Sequence, residues 1–404
     1  MATNKTDKVL NVPTLRFPSF TEEWQKHSLD KLGTTIIGLT YSPSDVVKEN
    51  GTIVFRSSNI QNGEIDYSDI VRVGKEIKPV LRTKESDILI CARNGSSRLI
   101  GKNAILKKSD EGQTFGAFMM IYRSKYNKFI RQLLNTKRYS MQVAQNIGAR
   151  INQITTSDLN NFIFNFPTNP HEQKKIADFL SLLDERIALQ SKLIEDLKIL
   201  KSAIVERMLQ QETESTVILS SLGRFIRGVT YSTEDITDGD GTLVMRATNI
   251  TTGNPLNFKS DVVTISKRVS KEQLIATNDI VICLANGSSA LIGKNSVYDG
   301  GCLSSLTIGA FCGVFRPNHS FVKWLFQTSQ YRTNVARSIQ GGNGAIANLS
   351  PSDILTMKFA LPNNDVLNMY DNLLNKIDDK LVTETKLLDD ILSQKCYLLS
   401  AMFI

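Results

Sequence analysis

One block of this sequence occurs twice, and a duplication constrains a fold more than any single motif. Leu29-Asp30-Lys31-Leu32-Gly33, then Gly38-Leu39-Thr40-Tyr41-Ser42, returns as Leu219-Ser220-Ser221-Leu222-Gly223, then Gly228-Val229-Thr230-Tyr231-Ser232. Residues 51–60 (GTIVFRSSNI) return as 241–250 (GTLVMRATNI), and 86–103 (SDILICARNGSSRLIGKN) as 278–295 (NDIVICLANGSSALIGKN). Residues 115–123 (FGAFMMIYR) return as 308–316 (IGAFCGVFR). The offset drifts only from 190 to 195, as small loop insertions would make it. The short runs 53–55, 88–91 and 118–122 are rich in strand formers and bounded by Gly, Asn and Ser, so they read as strands. Residues 128–147 have helical spacing, and a Gly/Asn loop and a further strand follow in each copy.

Each copy is followed by one long helical pattern. The stretch 171–209 holds no Gly or Pro, and its apolar residues step by three and four from Ile176 to Met208, as in a coiled-coil seam. Asn169, Pro170 and Glu172 look like a start signal, with Glu172 expected to reach back to the Asn169 amide. The stretch 370–403 repeats the seam about 194 positions later. Polar interruptions recur in the same slots, Gln190 matching Glu384 and Lys201 matching Lys395. One apolar stripe would mean ordinary core packing; two of one length point to mutual pairing. An antiparallel register sets Lys201 against Glu384 and Gln190 against Lys395, whereas a parallel one sets lysine against lysine. The fold class expected is α+β: two similar mixed α/β domains separated by two long helices that pair as an antiparallel coiled coil, with a pseudo-twofold internal repeat.

A chain of 404 residues suffices for two or three domains with real cores. No apolar run approaches the roughly 20 residues that span a bilayer, and 1–13 (MATNKTDKVLNVP) holds no apolar signal core, so a cytoplasmic location and no membrane are expected. The five cysteines lack CxxC spacing, and Cys91 and Cys283 sit in matching apolar strands as small hydrophobes, so neither disulfides nor a metal site is expected. The net charge is +8, and it is concentrated: 1–170 carries 24 Lys+Arg against 15 Asp+Glu. A basic first domain suits a polyanion.

Catalytic motifs are missing. The three histidines have no counterparts in the other copy, and there is no phosphate-binding glycine loop or nucleophile elbow. The chain is expected to be no enzyme. The repeated loops instead carry side chains suited to DNA, where Arg and Asn read base edges and Ser or Lys meets phosphates. The first loop offers Arg93, Asn94, Ser96, Arg98 and Lys102; its copy keeps Asn286, Ser288 and Lys294 but has Ala285 and Ala290 in place of the arginines. Shared residues shape the loop or meet phosphate, whereas differing ones suit different sequences. Asn94 equally fits a tight turn. Arg56 and Asn59, with Arg246 and Asn249, follow a second strand; a phosphate contact and a structural salt bridge both fit the arginines. Tyr41 and Tyr231 fit local packing or a hydroxyl contact.

These residues resemble the specificity subunit of a type I restriction–modification system. The resemblance lies in Val12-Pro13-Thr14-Leu15-Arg16-Phe17-Pro18 with Trp24, the Gly-x-Thr turns, the Asp-Ile-Leu-Ile…Gly-Ser-Ser…Ile-Gly-Lys block, Asn348-Leu349-Ser350, and Pro170-His171-Glu172-Gln173. It implies target recognition domains at 1–170 and 211–363 and spacer helices at 171–210 and 364–404. Each domain would read half of a split site on double-stranded DNA. Two methylation subunits, which bind S-adenosylmethionine, would dock on the helices, and restriction subunits would join them. This chain itself would hold no cofactor. One departure is Asn364-Asp365-Val366-Leu367, where the second copy lacks the Glu-Gln pair. A stand-alone duplicated DNA-binding regulator or restriction antagonist is the alternative, and a protein-binding scaffold a third; co-purification with a methyltransferase separates them.

Overall fold

The computed structural model describes residues 11–147, 152–251, 256–258, 260–302, 304–339 and 348–404. Residues 1–10 and the Gly/Asn loops at 148–151 and 340–347 lie outside the described residues. The chain divides into two compact units, Met1–Lys192 with Thr385–Ile404, and Leu193–Glu384. Each unit thus takes in part of each long helix, Pro170–Met208 and Asn364–Met402.

Unit 1 is built on an antiparallel sheet in the order Thr34–Ile37, Met119–Arg123, Ile88–Cys91, Asn103–Ile105. The run Ile88-Leu89-Ile90-Cys91 is wholly buried because both sheet faces are covered. Successive side chains point to opposite faces. Ile88 and Ile90 join a core with Trp24, Phe129, Phe166 and Leu180, while Leu89 and Cys91 join one with Phe55, Phe115 and Met119. Each such side chain taken fully out of water contributes roughly 1.5–3 kcal/mol. A second sheet sets Thr52–Phe55 antiparallel to Val71–Val73 and parallel to Thr114–Phe115.

Unit 2 has the same plan. Its main sheet runs Gly223–Arg227, Cys312–Pro317, Ile280–Cys283, Asn295–Val297. Ile280 and Ile282 face one core, Val281 and Cys283 the other. A buried fork closes each sheet. Arg123 holds Asp87 through Nε (2.8 Å) and Nη2 (2.7 Å), and Arg316 holds Asp279 through the same atoms at the same distances. The aspartates are 2% and 1% exposed. A bidentate charged pair with a further bond, here from the Lys84 or Ala276 amide, is the arrangement that offsets carboxylate burial. It explains why an Asp opens, and an Arg closes, the repeated strands.

Three local expectations are corrected. The helical spacing at 128–147 is two helices, Asn127–Leu133 and Lys137–Ile147. Thr136 breaks the run: its hydroxyl bonds back to the Leu133 carbonyl (2.6 Å), and its Oγ1 also accepts the Tyr139 amide (3.4 Å). Next, Asn169 does cap the first long helix, its Oδ1 accepting the His171 amide at 2.9 Å. Glu172 does not turn back to it. Fully buried, Glu172 accepts Arg16 Nε (2.6 Å), Arg16 Nη2 (2.8 Å) and Trp24 Nε1 (3.3 Å). The opening motif and the helix-start motif are therefore two sides of one buried cluster. Unit 2 builds its own version on Asp371, which accepts Trp324 Nε1 at 2.7 Å.

The third correction concerns the seam. Lys201 Nζ lies 2.6 Å from Asp378 Oδ1, not against Glu384. In unit 1, Lys395 pairs with Asp184, not with Gln190. Both pairs join one long helix to the other within a unit, and each is the other's counterpart 194 positions along. The cause is reach. A lysine rooted in an apolar seam extends its stem to a carboxylate at the solvent margin, where Asp378 remains 36% exposed. Glu384, 6% exposed, accepts Lys380 one turn back on its own helix. Among the described residues, no helix is long and apolar enough to cross a membrane.

Candidate nucleic-acid interface

Glycine sets the first loop of the site. A Cβ on Gly38 would fall 2.1 Å from the Gly116 carbonyl oxygen, and one on Gly228 2.2 Å from that of Gly309. Only glycine lets these backbones meet. The Leu39 amide then reaches the Phe115 carbonyl at 2.7 Å, and Tyr41 packs with the Leu39, Val54 and Val73 cluster. Tyr231 packs equivalently against Val229, Val244 and Ile265. Both tyrosines therefore serve packing, each half-exposed.

The second loop, 93–98, leaves the central strand and is stitched on three sides. The Ala92 and Arg93 amides donate to the Phe118 carbonyl at 2.9 and 3.0 Å. Asn94 Nδ2 donates to Ser57 Oγ (2.9 Å), while its Oδ1 accepts the Ser96 amide (3.0 Å). Asn152 Nδ2 donates to the Gly95 carbonyl at 3.1 Å. Asn94 is thus a turn-former as well as a surface group. In unit 2, Asn286 Oδ1 accepts the Ser288 amide at 3.0 Å in the same turn. Ser96 and Ser288 are exposed, and Lys102 and Lys294 half-buried.

Arg93 is exposed and lies over the Phe118 ring, 5.2 Å from its centre. Neither Arg93 nor Arg98 has an ion-pair partner among the described residues. Two exposed unpaired cations, one of them above an aromatic ring, are suited to phosphate or a base edge.

The third loop does not supply what its sequence offered. Asn59 is 1% exposed; its Oδ1 accepts the Arg56 amide (2.8 Å) and its Nδ2 donates to the carbonyls of Asp66 (3.0 Å) and Asp69 (2.8 Å). Asn249, also 1% exposed, accepts the Arg246 amide (2.8 Å) and donates to the Ser260 carbonyl (2.7 Å). Both asparagines knit the loop from inside, with no face left for a ligand. Arg56 is paired with Asp69 (2.8 Å) and Arg246 with Asp261, which favours the structural reading of both.

Sequence reasoning missed one group. The sequence places Phe118 in a strand, but it and its repeat counterpart Phe311 each stand in the turn before a strand, 59% and 69% exposed. The signal was the repeated Gly-Ala-Phe, an aromatic held outward by a small-residue turn. In unit 2, Phe311 joins Tyr231, Arg246, Ala285 and Asn286 around a cavity of about 640 Å³. Arg98 and Lys102 stand apart from this cluster, beside a different cavity. Burial pushes the Cys91 thiol under the site up to about 11 and that of Cys312 up to about 12. Among the described residues, no three His, Cys, Asp or Glu side chains are grouped to hold a metal.

Comparison with known proteins places this geometry. Residues 21–198 match the family model for the type I restriction modification DNA specificity domain. The chain is 30% identical over 171 residues to the type I restriction enzyme EcoKI specificity subunit of Escherichia coli strain K12, which is 40% of this chain and 36% of that protein. It is 28% identical over 176 residues to the StySPI specificity subunit of Salmonella potsdam, 41% of this chain and 37% of that one. The matches thus span little more than a third of each relative's length. The fold is similar to the crystal structure of a type I restriction–modification S subunit from M. genitalium, with a TM-score of 0.61 at 16% identity over 97% of this chain and 99% of that one. The chain is thus similar to type I restriction–modification specificity subunits, with the match to their DNA specificity domain carried by residues 21–198.

Proposed function

We propose that this protein is the non-catalytic, DNA-reading subunit of a type I restriction–modification complex. Unit 1 reads one half of a bipartite double-stranded site through Arg93, Arg98 and Phe118. Unit 2 reads the other half through the surface around Phe311, Asn286 and Ser288. The two long helices pair as an antiparallel coiled coil, relate the units by a pseudo-twofold repeat, and fix the gap between the half-sites. They also dock two methylation subunits, which bring S-adenosylmethionine; restriction subunits complete the assembly.

One observation carries this reading. The two units present the same loop frame with different side chains, Arg93 and Arg98 against Ala285 and Ala290, while Asn-Gly-Ser-Ser and the outward phenylalanine are kept. A shared frame with exchanged tips is what two readers of different sequences need. The test is an exchange of 25–167 for the matching segment of another family member, followed by mapping of methylated sites in cells. One half-site changes and the other stays. If both changed, or neither did, the two-reader assignment would be wrong. A chain that binds DNA but never co-purifies with a methyltransferase would instead favour a stand-alone regulator.

A further inference from the structure

Unit 1 holds a cavity of about 560 Å³ that the reading loops leave unexplained. Arg131 lines it and is 8% exposed. Among the described residues, its guanidinium hydrogen-bonds only the neutral Asn135 side chain, and no carboxylate stands within ion-pair reach. Asp184 and Glu64 are the acids whose fields reach it; Asp184 is already held by Gln132 (3.0 Å) and Lys395, and Glu64 by Lys107 (2.9 Å). Burial lowers the Arg131 pKa, yet an arginine keeps its proton, so a desolvated cation sits here with no carboxylate bonded to it. Gly63, with φ of +80°, closes over it: a Cβ there would fall 2.3 Å from Arg131 Nη2. Arg98, Lys102 and Lys395 also line the cavity, with no acidic residue among them.

Unit 2 treats the same positions differently. Arg98 becomes Ala290, and Arg131 becomes Lys323, which donates to Asn375 Oδ1 (2.6 Å) and lies 4.5 Å from the centre of the Trp324 ring. Lys201, the counterpart of Lys395, is paired with Asp378 and stacked 5.1 Å over the same indole. Both units give the two positions an amide oxygen and a carboxylate, Asn135 and Asp184 in unit 1, Asn375 and Asp378 in unit 2, but unit 2 adds the Trp324 ring over both cations. Unit 1 leaves its buried guanidinium facing open space.

We propose that the unit 1 cavity binds a small phosphate-bearing anion, inorganic phosphate or the terminal phosphate of a nucleotide, on the Arg131 guanidinium, with Arg98 and Lys102 at its mouth. A guanidinium fork matches two oxygens of one phosphate. Arg131 is only 8% exposed, so a phosphate esterified at one oxygen or none, with no sugar on its second side, suits the site better than a duplex phosphodiester. Arg98, also proposed to read DNA, is shared with this site, whereas Arg131 is not.

The test uses the full chain in a non-phosphate buffer at constant ionic strength, with inorganic phosphate replacing chloride. Phosphate should raise Tm saturably in the wild type and in Arg93→Ala, and should give no rise in Arg131→Met. Should Arg131→Met fail to fold, Arg98→Ala with Lys102→Ala keeps the buried guanidinium and should weaken phosphate binding by about tenfold in calorimetry. No saturable response to phosphate in the wild type, or an unchanged response in Arg131→Met or in the Arg98→Ala, Lys102→Ala double variant, overturns the proposal. A short duplex is the second arm. If Arg131→Met weakens duplex binding while free phosphate binds neither protein, the cavity is a backbone contact and the small-ligand assignment falls.

Discussion

Lys201, rooted in an apolar helix seam, finds its counter-charge in Asp378 at 2.6 Å and lies over the ring of Trp324. Its side chain is 8% exposed, that of Asp378 36%. Removing the carboxylate leaves a nearly buried ammonium; solvent at Asp378 screens part of the loss, so Asp378→Ala should cost about 1–2 kcal/mol. Asp378→Lys should cost more, and adding Lys201→Glu should recover much of it, though not the cation–π part. Urea unfolding measures this through the midpoint at constant slope. A double variant no better than Asp378→Lys alone would show that the two residues are not partners.

The exposed phenylalanine separates reading from folding. Phe118→Ala removes a ring that is 59% exposed, so thermal stability should change by less than about 0.5 kcal/mol. If Phe118 and the arginine beside it touch DNA, Phe118→Ala and Arg93→Ala should each weaken the unit 1 half-site by about 1–3 kcal/mol. Methylation profiling should show relaxed choice at that half-site alone. Normal methylation in both variants would remove this cluster from the interface.

The duplicated architecture was legible because its causes are local. Strand runs such as Ile88–Cys91 and the matched seams appear in order, twice, and periodicity follows directly from strand and helix geometry. The partners were not legible, because they depend on reach and burial. Asn59 and Asn94 are the same residue type in similar loops, yet one is sealed inside by three backbone bonds and the other borders the surface. Lys201 was matched to a carboxylate by seam counting, which ignores that a lysine stem reaches more than a turn along its neighbour. Arg131 was passed over as one polar residue on a helix, because nothing in its sequence shows a cavity with no acid beside it.

Thiol reactivity should follow burial. With its pKa pushed up to about 11, Cys91 at pH 8 holds only about one part in a thousand as the reactive thiolate. Cys283 is raised as well, and Cys312 is pushed up to about 12. Cys396 is exposed. Labelling at pH 8 should therefore modify Cys396 rapidly, and Cys91, Cys283 and Cys312 only as fast as the protein opens. Denaturant should make all of them reactive. Fast native labelling of Cys91, located by peptide mapping, would mean that the central strand of unit 1 is not sealed.

If the long helices set the gap between half-sites, their length is a ruler. Each spans 39 residues, roughly 58 Å at 1.5 Å per residue. A seven-residue insertion keeps a seam in phase, because the pattern repeats every seven residues. It must be made in both helices, after Lys192 and after its counterpart Lys386, so that the partners lengthen together. The added length is about 10 Å, close to three base pairs at about 3.4 Å each. The expected result is a recognition site whose two half-sites are unchanged and whose spacer is about three base pairs longer. The added pairs also turn the duplex by nearly a third of its roughly 10.5 base-pair repeat, so one half-site moves to a new face and methylation should be slower. Sequencing of methylated sites reads both halves and the gap in one measurement. A variant that methylates at the original spacing would show that the helices are not the ruler, and one that reads altered half-sites would show that they shape the reading surfaces as well.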